Sequence, residues 1–279
     1  MAQHKRQRAE SELTVPTSTE VIVNRWRDGQ VERVADRVAE EVPVALTYHG
    51  ISHVVMLATP SDLEDLAAGF TLSEGIVRNA SEILSLEASR QDDGNFEARI
   101  GIAAERFASL LRRERNTSGR TGCGLCGAAT FEDAIRIPER VQSNLAVSTR
   151  ELHEALLEIR EHQHINRDTG SVHAAAWVVP GQGIRLVRED VGRHNALDKV
   201  VGALARAKED FSRGWFLITS RASYEMVQKT ATVGVPFLAA VSAPTSFAIR
   251  LAEMSGVTLV GFAREHQHVL YAHPYRLKP

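Results

Sequence analysis

The spacing of apolar residues in the second half of the chain predicts alternating strands and helices. Short apolar runs that are typical of buried strands occur at 215–220, 236–242 and 257–263. Between them, the segments 223–232 and 245–255 carry apolar residues at helical spacing. Because strands that alternate with helices favour parallel pairing, the pattern predicts an α/β layer with a largely parallel sheet.

The first half shows a different pattern, which predicts an α+β arrangement. Two apolar runs on either side of Gly50 predict an antiparallel hairpin over 42–59, and the alternation at 96–102 predicts a half-buried strand. Ser61 and Glu64 have the spacing of a capping box at the start of a helix. Apolar residues then recur on one face of that helix, at Leu63, Leu66, Ala67 and Phe70.

Length and composition suggest two domains. The chain has 279 residues, and domains of roughly 100–150 residues are common. We expect a disordered tail over 1–20, an N-terminal α/β domain over 21–118, a glycine-rich loop over 119–127 and a second domain over 128–279. The formal net charge is −2, which argues against a general nucleic-acid-binding protein because no strong positive field is present.

Membrane insertion and secretion are not expected. The uncharged segment 230–249 contains Pro236 and Pro244, which would break a spanning helix, so it is interpreted as a buried strand, a turn and a helix start. The first residues lack the apolar run of a secretory signal. We therefore expect a cytoplasmic protein with no membrane partner.

The two cysteines are the most specific chemical feature. Cys123 and Cys126 lie in RTGCGLCG, and a single close pair cannot form a disulfide scaffold. Three interpretations remain open: a reactive pair on a mobile loop, a zinc half-site completed by distant histidines, or an inert buried pair. Arg115 and Arg120 precede the pair and would favour a thiolate.

His173 invites comparison with zinc nucleobase deaminases. Those enzymes use H-x-E followed by P-C-x-x-C, with the glutamate moving the proton. Here Ala175 occupies the glutamate position, and the C-x-x-C precedes the histidine. Deaminase chemistry is therefore disfavoured, and the simplest expectation is a histidine whose hydrogen bonds are satisfied within its strand.

Polar residues follow three of the predicted strands. Five cluster where the strand IRLVRE turns into the next helix: Glu189, Asp190, Arg193, His194 and Asn195. Asp190 or Asn195 could be a helix cap and Arg193 a solvated charge, but five polar groups at one strand end favour a functional role. The turns at 219–225 and 242–246 offer further hydroxyl and N–H groups that suit phosphate or carboxylate.

Taken together, these segments resemble the formate dehydrogenase accessory sulfurtransferase family, FdhD. The resemblance covers roughly residues 42–264. It is carried by GISHVVMLATPSDLEDLAAGFTLSEGI, RTGCGLCG, EDVGRHNALDKVVG, TSRASYEMVQK, SAPTS and GFAR. It implies a cytidine-deaminase-like three-layer domain at the C-terminal end and a smaller, roll-like α/β domain at the N-terminal end.

The resemblance also implies a function. Members take persulfide sulfur from a cysteine desulfurase and deliver it to the molybdenum cofactor, in its bis(molybdopterin guanine dinucleotide) form, for formate dehydrogenase. Cys123 would carry the persulfide, and Cys126 would receive or resolve the sulfur. The implied partners are the desulfurase, the catalytic subunit of formate dehydrogenase and a second copy of the chain.

The cofactor would be held as a substrate, with no permanently bound metal. The family's binding stretch follows the last strand and matches Phe262, Ala263, Arg264, Glu265, His266 and Gln267. Further ligands are expected at Arg193, Ser220, Arg221 and Ser242. Two alternatives stay open: a carrier of the cofactor that catalyses no transfer, and a zinc-binding relative of the deaminases.

Overall fold

A computed structural model describes residues 15–115 and 137–279 of the chain. The predicted glycine-rich loop at 119–127, with Cys123 and Cys126, lies outside the described residues, as does Arg120. The expectations that rest on these residues therefore stay predictions.

The described strands and helices alternate irregularly along the chain. The strands are β1 (Ser18–Arg27), β2 (Gln30–Ala39), β3 (Val42–Tyr48), β4 (Ile51–Ala58), β5 (Ile83–Arg90), β6 (Phe96–Ile102), β7 (Val147–Ser148), β8 (His173–Val179), β9 (Gly183–Asp190), β10 (Trp215–Ile218), β11 (Phe237–Ala240), β12 (Thr258–Arg264), β13 (Gln267–Ala272) and β14 (Leu277–Lys278). The helices are α1 (Leu63–Ser73), α2 (Ala104–Arg115), α3 (Thr149–His162), α4 (His164–Thr169), α5 (Arg193–Arg206), α6 (Tyr224–Thr232) and α7 (Ser246–Ser255).

A four-stranded sheet of order β4-β3-β6-β5 forms the first layer. The predicted hairpin is confirmed, because Tyr48 pairs with Ile51 around Gly50 and β3 runs antiparallel to β4. The predicted apolar face of α1 is largely buried. The predicted capping box at its start is wrong: Asp62 precedes the helix in a left-handed conformation with no side-chain cap, and Glu64 forms an ion pair with Arg206.

The second sheet has six strands in the order β13-β12-β11-β10-β8-β9. Only β10, β11 and β12 are parallel, and the other three pairings are antiparallel. The expectation of a largely parallel sheet is therefore wrong. The physical reason is that short turns join β8 to β9 and β12 to β13, and a tight turn can only connect antiparallel strands.

Helices cover both faces of the six-stranded sheet, which gives three layers. Ala175 and Trp177 on β8 pack in a core that includes apolar residues of α5, α6 and α7. Ala174 and Ala176, which alternate with them, belong to a separate core with apolar residues of α3. The first core continues without a break into the four-stranded sheet, so the two halves of the chain share one hydrophobic interior.

The N-terminal residues of the described chain form a hairpin outside both sheets. β1 and β2 pair antiparallel along all ten residues of each strand, from Ser18 opposite Ala39 to Arg27 opposite Gln30. The expectation that disorder extends to residue 20 is wrong for 18–20, which lie in β1. Charged residues occur on both faces of this hairpin, so apolar periodicity does not mark its strands, whereas backbone pairing does not depend on side-chain polarity.

Helices α1 and α5 cross in close backbone contact through two glycines. A Cβ atom at Gly202 would collide with the backbone carbonyl of Asp65, and one at Gly69 with that of Asp198. This crossing joins the layer of the first sheet to that of the second. Within the described residues, no helix is both long and apolar enough to span a membrane.

We predict that Gly202→Ala destabilises the protein although alanine is the better helix former. The collision with α1 forces the helices apart, and this cost exceeds the propensity gain of about 1 kcal/mol, for a net loss of roughly 2 kcal/mol. Denaturant unfolding measures the difference. Ala203→Gly is the matched control on the same helix, with an expected loss of about 1 kcal/mol from propensity alone. Equal or greater stability of Gly202→Ala would contradict the crossing.

Candidate functional site

The polar turns predicted from the sequence meet at one edge of the six-stranded sheet. β9, β10, β11 and β12 all end at this edge, and β8 begins there, because β8 runs antiparallel to its two neighbours. Arg193 follows β9, Ser220 and Arg221 follow β10, and Ser242 follows β11. Ligands of α/β sheets collect at such an edge.

A cavity of about 290 Å³ opens between this edge and helix α3. Of the ten residues expected to hold the cofactor, Ala263, Arg264 and Glu265 line this cavity. The rest of the wall is formed by Leu156, Leu157, Ile159, Arg160, Gln163, Asn166, Val172, His173, Thr219 and Val241. The lining thus combines six apolar residues with seven polar or charged ones, and converging polar groups in a concave site are typical of small-molecule binding.

The stretch expected after the last strand lies partly within a strand. Phe262, Ala263 and Arg264 belong to β12, and the register shift beyond Gly261 gives Phe262 a positive φ of 48°. As a result, Ala263 is fully buried and lines the cavity, whereas Phe262 is exposed and does not line it. His266 follows in the turn and Gln267 opens β13, and neither belongs to the lining.

The remaining expected ligands lie at the edge but not on the cavity wall. Ser220 is buried, and its hydroxyl donates to the carbonyl of Arg221 at 3.1 Å, whereas the side chain of Arg221 is exposed. The carbonyl of Ser242 accepts from the N–H of Phe262 at 3.1 Å. Their roles as ligands stay predictions.

Much of the polar cluster after β9 has a structural role. Glu189 accepts from the N–H groups of Ile165 and Asn166, both at 2.8 Å, and so caps α4. Asp190 is fully buried and forms an ion pair with Lys199, with 2.7 Å between Oδ2 and Nζ. The expectation that all five polar groups point to function is therefore wrong for these two.

Asn195 completes this buried network. Its amide donates to Asp190 at 2.9 Å and to the carbonyl of Leu57 at 2.8 Å. Asp190 also accepts from the N–H of Thr59 at 3.0 Å, so the end of β4 is tied directly to the end of β9. The helix cap considered for Asp190 or Asn195 is not found, because Gly192 precedes α5 without a side-chain cap. Both residues instead have a structural role in this buried network.

Arg193 and His194 are the two members of the cluster that lie outside these structural contacts. The Nε atom of Arg193 is buried and has no hydrogen-bond partner among the described residues. Burial and the positive charge of Arg193, with a contribution from His194, lower the pKa of His173. The lowered pKa favours a neutral His173, whose ring lines the cavity and bonds to none of the described residues, contrary to the expectation of a satisfied histidine.

His194 pairs with a glutamate on the next helix. Its Nε2 lies 3.3 Å from Oε2 of Glu225, which also accepts from the hydroxyl of Ser223 at 2.8 Å. The hydrogen bond from His194 is the largest cause that lowers the pKa of Glu225 to about 2. Together with the hydrogen bond from Ser223, it outweighs burial, which raises the pKa. The pair joins the first turns of α5 and α6 at the sheet edge.

Sequence reasoning missed the contribution of α3 and the residues just after it. Arg160, Gln163 and Asn166 line the cavity although no motif marks them. Gln163 is about nine-tenths buried, and its side-chain amide makes no hydrogen bond to a described residue. Thr219, which directly follows β10, lies in the polar turn that the sequence did predict. The lining thus combines the guanidinium groups of Arg160 and Arg264 with the imidazole of His173, the side-chain amides of Gln163 and Asn166 and the carboxylate of Glu265.

The described part of the chain contains no cluster of metal-ligating side chains. No group of three or more histidine, cysteine, aspartate or glutamate side chains is placed to hold a metal ion there. The expectation that no metal is permanently bound still depends on the two cysteines, and it stays a prediction.

Comparison with known proteins decides the family. The model of the FdhD/NarQ family matches residues 39–278, which include both sheets and the sheet edge. The chain belongs to the FdhD/NarQ family. The resemblance inferred from the motifs is thereby confirmed.

Curated relatives within the FdhD/NarQ family match over nearly their full length. The chain is 52% identical over 263 residues to the sulfur carrier protein FdhD of Cupriavidus necator, covering 94% of this chain and 91% of that protein. It is 50% identical over 262 residues to the protein of the same name from Xanthomonas axonopodis pv. citri, covering 94% and 93%.

A solved structure shares the fold. It is a protein from Desulfotalea psychrophila described as a formate dehydrogenase accessory protein. The TM-score is 0.74 at 23% identity, and the match covers 94% of this chain and 100% of that one.

We predict that Glu225 stabilises the fold in a pH-dependent way. Its folded pKa of about 2 lies below the ordinary value of 4.5, so its contribution is complete above 4.5 and is lost as the pH falls towards 2. The stability difference between the wild type and Glu225→Gln should shrink over that range by on the order of 1–3 kcal/mol. Denaturant unfolding at a series of pH values measures it, with Glu209→Gln at an exposed position as control. A difference that does not change with pH would contradict the pairing.

Proposed function

We propose that this protein is a sulfurtransferase that carries persulfide sulfur from a cysteine desulfurase to the molybdenum cofactor, as bis(molybdopterin guanine dinucleotide), for formate dehydrogenase. The observation that carries the proposal is the match, over more than nine-tenths of their length, to relatives named sulfur carrier protein FdhD. The presence of the glycine-flanked Cys123 and Cys126 adds the chemistry that such a carrier needs.

The transfer starts at Cys123. Its thiolate attacks the outer sulfur of the desulfurase persulfide, forming a new S–S bond as the bond to the desulfurase sulfur breaks. The products are a desulfurase thiolate and a persulfide on Cys123, so atoms and charge balance. Cys126, which is separated from Cys123 by Gly124 and Leu125, is the resolving thiol in this proposal.

The sheet edge is the proposed place for the cofactor, which is a substrate here and not a resident group. Unpaired guanidinium groups suit its phosphates, because a planar guanidinium can bond two phosphate oxygens at once. Arg264 and Arg160 line the cavity, and the buried Nε of Arg193 lacks a partner among the described residues. Phe262–Gln267, Ser220, Arg221 and Ser242 are proposed as further contacts of this substrate.

The fold supports a domain related to cytidine deaminases, although deaminase chemistry is not proposed. The three layers around the mixed sheet fit such a domain at 128–279, and the first sheet fits a smaller α/β roll. Ala175 stands where a deaminase needs its glutamate. We therefore favour sulfur transfer over a zinc-dependent deaminase and over a carrier without catalysis.

The proposed partners follow from the reaction. The sulfur donor is a cysteine desulfurase, the recipient of the finished cofactor is the catalytic subunit of formate dehydrogenase, and the protein acts as a homodimer. We propose the cytoplasm as the compartment, since a reactive thiol pair is maintained in a reducing environment.

We expect persulfide formation on Cys123. After incubation with a cysteine desulfurase and cysteine, the intact mass of the wild type should rise by one or more sulfur atoms, and a reductant should reverse the gain. Cys123→Ala should show no gain, whereas Cys126→Ala should still be loaded. Protein mass spectrometry measures both.

Two outcomes would contradict this role of Cys123. No mass gain in the wild type, with an active desulfurase present, would favour the cofactor carrier. Stoichiometric zinc in the purified wild type, lost from Cys123→Ala, would favour the zinc site.

We also predict that Arg264→Ala weakens binding of the nucleotide part of the cofactor. Guanosine diphosphate serves as the probe, and loss of one charge-assisted contact should raise its Kd by about tenfold or more. Isothermal titration calorimetry measures the Kd, and Arg213→Ala at an exposed position is the matched control. Equal Kd values for wild type and Arg264→Ala would remove Arg264 from the site.

A further inference from the structure

The β1–β2 hairpin exposes an apolar stripe on one face. Ile22 pairs with Ala35 and Trp26 with Val31, and opposite residues of an antiparallel pair point to the same side of the sheet. The exposed fractions are 58% for Ile22, 69% for Trp26 and 65% for Val31. These three large apolar side chains, with the polar pair Asn24 and Arg33 between Ile22 and Trp26 on the same face, mark a surface for association.

The opposite face of the hairpin already has a neighbour. It carries Val21, Val23 and Val34, which are partly buried, and the hairpin contacts helix α4. The stripe is therefore the face directed away from the protein. Any partner must reach the hairpin from this side or along one of its edges.

Both outer edges of the hairpin lack a strand partner among the described residues. Each edge presents the unpaired backbone groups of a ten-residue strand. A two-stranded hairpin is only marginally stable in water, and three or more strands with an apolar face are needed for independent stability. The hairpin therefore gains most from a partner that adds strands to its edge.

Charge distinguishes the two edges. In a closed dimer the same strand of each copy pairs antiparallel across a two-fold axis. For β2, a register centred on Arg33 or Asp36 places that charge opposite itself. A register centred on Val34 places Glu32 opposite Asp36, and one centred on Ala35 places Arg33 opposite Arg37. Like charges opposite each other are destabilising, so β2 is unsuited to self-pairing.

Self-pairing of β1 avoids this repulsion. With Ile22 on the axis, Ile22 faces Ile22, Val21 faces Val23, Glu20 faces Asn24 and Thr19 faces Arg25 of the second copy. Moving the axis to Val23 would instead place Ile22 opposite Asn24 and Val21 opposite Arg25. The register centred on Ile22 thus combines apolar pairing at its centre with no like charges opposite each other.

We propose that two copies of this chain associate through β1, antiparallel and centred on Ile22, to form a four-stranded sheet of order β2-β1-β1-β2. The sheet brings the two Ile22 side chains together on the axis, and Trp26 of each copy lies opposite Ser18 of the other. This inference rests on the homodimer proposed above but not on sulfur transfer, and the experiments below do not depend on sulfur loading.

Sedimentation equilibrium of the full chain tests the interface. The wild type should be a dimer, and Ile22→Lys should weaken dimerisation by about tenfold or more, because two ammonium groups meet at the axis. Ala35→Lys is the matched control: it lies on the same face, directly opposite Ile22, but away from the β1 edge. It should leave the dimer intact. Circular dichroism and thermal unfolding check that all three proteins fold alike.

Each contrary result has a definite meaning. A monomeric wild type would overturn the homodimer and this surface together. A dimer that resists Ile22→Lys would place the interface elsewhere. Equal disruption by Ala35→Lys would show that the stripes stack face to face, which overturns edge pairing.

Disulfide cross-linking tests the register without charge. In a protein with Cys123→Ser and Cys126→Ser, the Ile22→Cys variant should cross-link to itself under mild oxidation. Residues directly opposite each other have Cα atoms about 4.5–5.5 Å apart, within the range of a disulfide. Thr19→Cys, on the same strand but opposite Arg25, should not cross-link. No cross-link at position 22, or an equal yield at position 19, would overturn the proposed register.

Discussion

The buried ion pair between Asp190 and Lys199 is the interaction on which the arrangement of the sheet edge depends. Asp190 ends β9, Lys199 lies on α5, and the same carboxylate accepts from Thr59 at the end of the first sheet. Lys199 also donates to the carbonyl of Thr59 at 3.1 Å. Removing either charge would leave the other buried and unpaired, at a cost of about 3–5 kcal/mol. One ion pair thus fixes β4, β9 and α5 relative to each other.

The charge at the candidate site follows from this internal pairing. Asp190 and Glu189 are acidic, but both are satisfied within the protein, by Lys199 and by the N-terminus of α4. The charge of Asp190 still raises the pKa of His173, but burial and the charges of Arg193 and His194 outweigh it. The buried Nε of Arg193 has no hydrogen-bond partner among the described residues, Arg264 lines the cavity, and burial together with the charge of Arg193 lowers the pKa of His173. The same motif therefore contains both the support of the site and part of its chemistry.

Local patterns predicted the elements well where the relevant contacts are close in sequence. The hairpin around Gly50 formed as predicted, and Ser148 and Glu151, three residues apart, form a capping box at α3. Predictions failed where a distant partner decided the outcome. Glu64 is taken by Arg206, so the box at α1 is absent, and the strands of the second sheet pair in an order that no periodicity reveals. The α3 wall of the cavity was missed for the same reason, since Gln163 has no local motif.

The sequence by itself determined the family, the presence of the C-x-x-C motif and the residues that follow each strand, because these depend on residue identity and on short-range spacing. Only the tertiary structure decided which of those polar residues are structural. Asp190 and Asn195 look equivalent to Arg193 in the sequence, and they differ because their partners, Thr59 and Leu57, are more than a hundred residues away. A buried polar group must find a hydrogen-bond partner, and where the fold supplies one, that group is no longer available to a ligand.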